Sequence, residues 1–168
     1  MPEKTVIDRV RRDKKEGKSA STQASEFVRE EMHHIREGKH GATSPEQAIA
    51  IGLSEARRAG VRLPPPKRGK TSARTRHQAQ RELRRGKSQH HKTSAKRSRA
   101  ILGALRREGH GAASRKSLAR HAHAVAERRG RGSLRRSAMK AVRTKRHRGL
   151  RAAARKAART RAKHRKAA

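Results

Sequence analysis

Apolar residues in the first 60 positions recur every three or four residues, in three runs that each stop at a glycine. The first run is Val6, Ile7 and Val10, the second Val28, Met32 and Ile35, and the third Ala48, Ile49, Gly52, Leu53 and Ala56. That spacing puts each set on one face of a helix. Gly17, Gly38 and Gly60 follow the runs, where a helix commonly ends on a left-handed residue that glycine adopts without a Cβ penalty. The third run has the plainest start. Ser44 stands at the N-cap, Pro45 at the first helical position and Gln47 three after the serine, the pattern of a capping box. The spacing predicts a helix over Pro45 to Ala59, paired with the preceding helix as a hairpin, with Val6, Ile7 and Val10 adding a shorter third helix. A domain of about 60 residues is marginal in stability, so dimerisation is one route to support it.

The same pattern returns in more basic form further on. A shift of 70 residues aligns His40-Gly41-Ala42 with His110-Gly111-Ala112, Ser44 with Ser114, Ala56 with Ala126, Arg58 with Arg128 and Gly60 with Gly130. One residue of slippage also aligns Arg36-Glu37-Gly38 with Arg107-Glu108-Gly109. Helical segments ending at Gly17, Gly38, Gly60, Gly86, Gly109, Gly130 and Gly149 are expected, although basic low-complexity sequence also matches itself by chance. Ile101, Leu102 and Leu105 are expected to face Leu118, Ala122 and Val125 as a second, weaker hairpin. Between the copies stand Pro64, Pro65 and Pro66, which cannot continue a helix and favour an extended spacer. The expected organisation is a helical hairpin domain over 1–63, a proline-rich spacer over 64–70, a basic helical repeat over 71–130 and a basic tail over 131–168. The fold class is all-α, short helical hairpins followed by a largely disordered Lys/Arg/Ala-rich C-terminal region.

Charge changes the picture at those prolines. The chain has 168 residues and a formal charge of +36. Residues 1–66 hold 13 Lys+Arg and 10 Asp+Glu, a net +3, whereas 67–168 hold 36 and 3, a net +33. Like charges so dense repel one another, which calls for a polyanionic partner. From 131 to 168 there are 16 Lys+Arg and no acid. That tail is expected to be disordered alone and helical once phosphates neutralise it, because alanine favours the helix. Apolar residues make up 30% of the chain, too few for one large core. Phe27 is the one aromatic residue, so the stacking platforms of single-strand and RNA readers have little to be built from.

The residues expected to contact phosphates begin with Lys67, Arg68 and Lys70, then Arg74, Arg76, Arg84, Arg85 and Lys87, then Lys92, Lys96, Arg97 and Arg99. In the tail they are Arg135, Arg136, Lys140, Arg143, Lys145, Arg146, Arg148, Arg151, Arg155, Lys156, Arg159, Arg161, Lys163, Arg165 and Lys166. Arg57 and Arg58 would lie at the wrong end of the third helix for a recognition helix, whose N-terminal part normally meets the bases. Backbone contacts without sequence preference are therefore expected.

Other chemistry finds little support in the sequence. Glu30 and Glu31 stand three residues before His33 and His34, a Glu-x-x-His pattern that builds metal sites on facing helices, but the partner helix offers only Glu46 and Glu55, and no metal or other cofactor is expected. His90, His91, His121 and His123 sit among cations and are expected to face phosphates. Gly17-Lys18-Ser19 and Gly86-Lys87-Ser88 resemble the end of a phosphate-binding loop, but Arg12 and Arg81 occupy the position of its first glycine. A helix end followed by a cap serine explains both. No catalytic residues are expected, and the chain is not read as an enzyme. The absence of cysteine excludes disulfides and thiolate sites. The first 17 residues carry early charges and no apolar stretch of signal-peptide length, and the longest apolar run is Ala48 to Leu53. A soluble protein of the cytoplasm, associated with the nucleoid, is the expectation.

The stretch EFVREEMHHIREGKHGATSPEQAIAIGLSEARRAGVRLPPPKRGK, Glu26 to Lys70, resembles the signature of an uncharacterised family of small basic bacterial proteins. The resemblance covers about the first 70 residues and implies a DNA-binding or plasmid-stabilisation role, with no established mechanism. The tail is similar, in composition only, to linker-histone-like bacterial proteins. The expectation is a DNA-binding protein of the nucleoid or a plasmid that neutralises duplex phosphates. Two alternatives stay open: structured or ribosomal RNA as the ligand, and a protein-interaction module, or a second copy, meeting the N-terminal helices while the tail tethers them to nucleic acid.

Overall fold

The computed structural model describes residues 3–86 and 94–166, apart from the side chains of 144–148, 150 and 163–166. The described residues are all-α. Six helices follow in order: α1 (Lys4–Lys15), α2 (Ala20–Arg36), α3 (Pro45–Arg58), α4 (Ala73–Arg85), α5 (Ala95–Arg106) and α6 (Arg115–Lys166), with a short 3-10 turn over Gly111–Ala113 before α6. They divide into two compact units, Met1–His121 and Ala122–Ala168.

Serines set the helix starts. The side chains of Ser19, Ser44, Ser72 and Ser94 accept the backbone N–H of Thr22, Gln47, Thr75 and Arg97, and Ser114 accepts that of Ser117 at 3.2 Å. Each satisfies a donor that the first turn leaves without a partner. At α3 the Gln47 side chain reaches back to the N–H of Thr43, at 2.7 Å, one residue earlier than a regular capping box. Gly17, Gly38 and Gly60 have φ of 68°, 74° and 89°, the left-handed ends expected of them. Gly86 closes α4 with φ of −64°, and Gly149 lies inside α6.

In the first unit α2 packs on both α1 and α3. One cluster joins Val6, Ala24, Phe27, Ala56 and Val61, flanked by Ile7, Val10 and Leu53. A second joins Met32, Ile35, Ala42, Ala48, Ala112 and Ala113, flanked by Val28, Ile49 and Leu118. All three predicted apolar faces are inside. Phe27, the largest fully buried side chain, belongs to a face wider than the predicted stripe. Gly52 marks a close approach of α2 and α3, since a Cβ there would lie 2.7 Å from Val28 Cα.

The unit does not stop at the prolines. α4 packs on α3, burying Ala79, and Ala112, Ala113 and Leu118 complete the second cluster. Backbone bonds join the two stretches aligned by the 70-residue shift. The Gly41 N–H donates to the Leu105 carbonyl at 2.8 Å and that of Ala42 to Gly109 at 3.1 Å. A Cβ on Gly41 would fall 2.0 Å from the Glu108 oxygen, so no other residue fits this approach without displacing the backbone.

The shift of 70 recurs in the elements. α2 ends at Arg36 and α5 at Arg106, α3 begins at Pro45 and α6 at Arg115, and α4 covers the positions equivalent to α1. The expected second hairpin is not seen among the described residues of the first unit. Among the described residues α5 packs on no other helix, Ile101 and Leu102 are exposed, and Leu118 turns to the second cluster, around Met32 and Ile35. The cause is visible at the equivalent positions, where Val6, Phe27, Leu53 and Val61 are replaced by Arg76, Arg97, His123 and Arg131.

In the second unit α6 is helical over the tail expected to be disordered. No proline follows Pro66, and alanine-rich sequence loses little by coiling. Gly130 takes a φ of 70° within it, like Gly60. Leu134, Met139 and Val142 are exposed.

Candidate nucleic-acid interface

The cations after residue 66 fall outside the apolar clusters. In the first unit Lys67, Arg68 and Lys70 are exposed in the segment leading to α4. Along α4, Ala79 and Glu82 are buried, which leaves Arg74, Arg84 and Arg85 exposed; Arg76 is half-buried, with a buried Nε that has no hydrogen-bond partner. Lys96, Arg97 and Arg99 are exposed on α5. In the second unit Arg135, Arg136, Lys140, Arg143, Arg151, Arg155, Lys156, Arg159 and Arg161 are exposed along α6. Of the remaining expected contacts, Lys87 and Lys92 lie outside the described residues, as do Ser88, His90 and His91, and the side chains of Lys145, Arg146, Arg148, Lys163, Arg165 and Lys166 are likewise outside. The expectation left out Arg81, Arg106, Arg115, Lys116 and Arg120, which are exposed as well. Their signal was the same basic run.

The three acids of this region are disposed unequally. Glu82 is buried between α3 and α4, accepting from Ser54 Oγ at 2.5 Å and from Gln78 at 3.0 Å, with Arg57 at 3.9 Å. Glu108 is half-buried, and Glu127 is exposed. Among the described residues after 66, the exposed charges are thus almost all cationic.

Arg57, at the end of α3 that does not suit base reading, is turned inward. It is 7% exposed, and burial pulls its guanidinium below the usual arginine range while Glu82 opposes that. Its role is to neutralise Glu82 inside the protein. His121 departs from the expectation: its Nδ1 meets Glu46 Oε1 at 2.8 Å, so it faces a carboxylate and not a phosphate. His123 is exposed, as expected. Gly17-Lys18-Ser19 is a helix end and a cap, with Lys18 bound to Asp13 at 2.7 Å.

Helices carrying exposed lysine and arginine can line up donors along a phosphate backbone, and a long basic helix can track a groove wall. Residues 11–68 match a family of unknown function (DUF6496). That match covers α2, α3 and the prolines, the last five residues of α1, and none of the strongly basic helices. No curated protein and no solved structure matches the chain. Among the described residues no helix is long and apolar enough to cross a membrane.

Proposed function

We propose that this chain binds duplex DNA without sequence preference, by neutralising phosphates with the cations of α4, α5 and α6. The observation that carries this reading is the near absence of exposed acid after residue 66: Glu82 is buried beside Arg57 and Glu108 is half-buried. A solvated surface with no ligand is normally of mixed sign, and one so uniform repels itself. Duplex DNA is favoured over RNA because the one aromatic residue, Phe27, is buried in the core and offers no base a stacking surface. In a cell such binding would place the protein on the nucleoid or on a plasmid.

The test is the salt dependence of binding to labelled duplexes. If about 10 cations engage at once, the logarithm of the binding constant falls against the logarithm of salt with a slope of about −9, equally on random and genomic duplexes. A slope near −2, or a preference above about a hundredfold for one sequence, contradicts the proposal. Tighter binding to duplex RNA than to DNA of equal length would assign the ligand to RNA.

A further inference from the structure

The first unit carries a second, acidic centre that has no part in phosphate binding. Glu31 and His34 are one turn apart on α2, and the chain then reverses at Gly38, with φ of 74°, to bring His40 against them. Donor atoms of Glu31, His34 and His40 lie within 4.8 Å of one another. Glu31 is 2% exposed, and its Oε1 is buried with no hydrogen-bond partner. Its other oxygen, Oε2, lies 3.6 Å from His40 Nε2. A buried carboxylate without a donor is costly unless a cation or a proton joins it.

We propose that Glu31, His34 and His40 bind one divalent transition-metal ion, with zinc the ion their donors suit. Two imidazoles with a carboxylate select zinc or its neighbours over calcium and magnesium, which prefer oxygen alone. The spacing agrees: two ligands about 2.1 Å from a tetrahedral ion are about 3.4 Å apart. His40 is held as a ligand should be. Its Nδ1 lies 3.2 Å from the Gly41 carbonyl, so in the neutral ring the proton sits on Nδ1 and the Nε2 lone pair faces Glu31. Gly41 is itself fixed by its bond to Leu105. His34 Nε2 also meets Glu3 Oε1 at 3.3 Å, and the buried Glu30 leaves Oε2 without a partner. With Glu55 also acting on Glu31, the carboxylates gathered here favour a cation locally in a chain that is otherwise strongly positive.

The test uses the whole chain, stripped of metal by a chelator and titrated with Co2+ and then Zn2+. One Co2+ per chain should bind with the visible absorption bands of a low-coordinate nitrogen and oxygen site, and Zn2+ should displace it and raise the melting temperature. His34→Gln/His40→Gln should remove both effects. Glu31→Gln should remain folded, melt higher without metal because a buried charge is gone, and lose affinity by more than the roughly 100-fold that loss of a supporting contact costs. Absence of one-equivalent binding overturns the proposal. So does unchanged Zn2+ affinity in either variant, which would assign the ion to histidines elsewhere.

Discussion

At the residue scale, the buried charges decide most of what substitution would do. Burial, reinforced by the charges of Glu55 and Glu30 and opposed by His34, pushes the Glu31 carboxyl up to about 7 from an ordinary 4.5. A carboxyl raised in the folded state costs stability as the pH climbs from about 4.5 to about 7, because the unfolded chain ionises first. Glu3 and Glu46 act in the opposite sense. A hydrogen bond from Lys39 chiefly lowers Glu3, and the Glu46 backbone N–H chiefly lowers Glu46, so their contribution is lost as the pH falls through the carboxylate range. Subtracting the melting profile of metal-free Glu31→Gln from that of metal-free wild type should therefore isolate a penalty that grows between about pH 4.5 and 7. A flat difference would mean that Glu31 is not buried as described. Arg57→Ala strands Glu82 without its cation and should cost about 3 to 5 kcal/mol, whereas Arg58→Ala, at an exposed position, should change stability by less than about 0.5 kcal/mol. Chemical denaturation of both variants checks the contrast. None of these pairings was legible in the sequence, since Arg57 and Glu82 are joined only when α4 lies on α3.

At the element scale the sequence was far more informative. Ser44, Pro45 and Gln47 located the start of α3, and Gly60 its end, because caps act within a few residues and need no tertiary context. Ser44→Ala should cost about 1 kcal/mol and Leu53→Ala about 2 to 5 kcal/mol, measured as shifts in the denaturation midpoint. The apolar stripes of α1, α2 and α3 were legible for the same reason, their periodicity being local. The second hairpin was not. Ile101, Leu102 and Leu105 have helical spacing, but spacing does not say whether a partner face exists, and the arginines at positions equivalent to Val6 and Phe27 removed it. For the tail the sequence left both a disordered and a helical state open. Its alanines and lack of proline kept the helix open to it.

At the scale of the whole molecule, charge divides the chain in two. Removing residues 122–168 takes away 18 Lys+Arg and one acid, Glu127, while leaving the first compact unit complete. That truncated chain should retain its melting transition and show a flatter salt slope for duplex DNA, read by the same titration; an unchanged slope would place the phosphate contacts in the first unit. The cationic half was plain from composition alone, because counting charges needs no structure. The metal-binding cluster was half visible as Glu-x-x-His. What the sequence did not reveal was that the third ligand, His40, comes from the loop after the same helix and not from a facing one.

The bonds from Gly41 to Leu105 and from Ala42 to Gly109 have a consequence for the order in which the protein is made. Their partners, like the contact of Arg36 with the Ala113 carbonyl across 77 residues, are far apart along the chain. Synthesis runs from the N-terminus, so α1, α2 and α3 leave the ribosome well before Ala112 and Ala113 exist to close the cluster around Met32 and Ile35. Until then that apolar surface stays open, and closing so long a loop slows the final step relative to a local helical hairpin. Nascent chains stalled with residue 66 just outside the exit tunnel should therefore remain protease-sensitive, and those stalled beyond residue 121 should become resistant. Resistance at the earlier point would mean that the three N-terminal helices are stable without their distant closure.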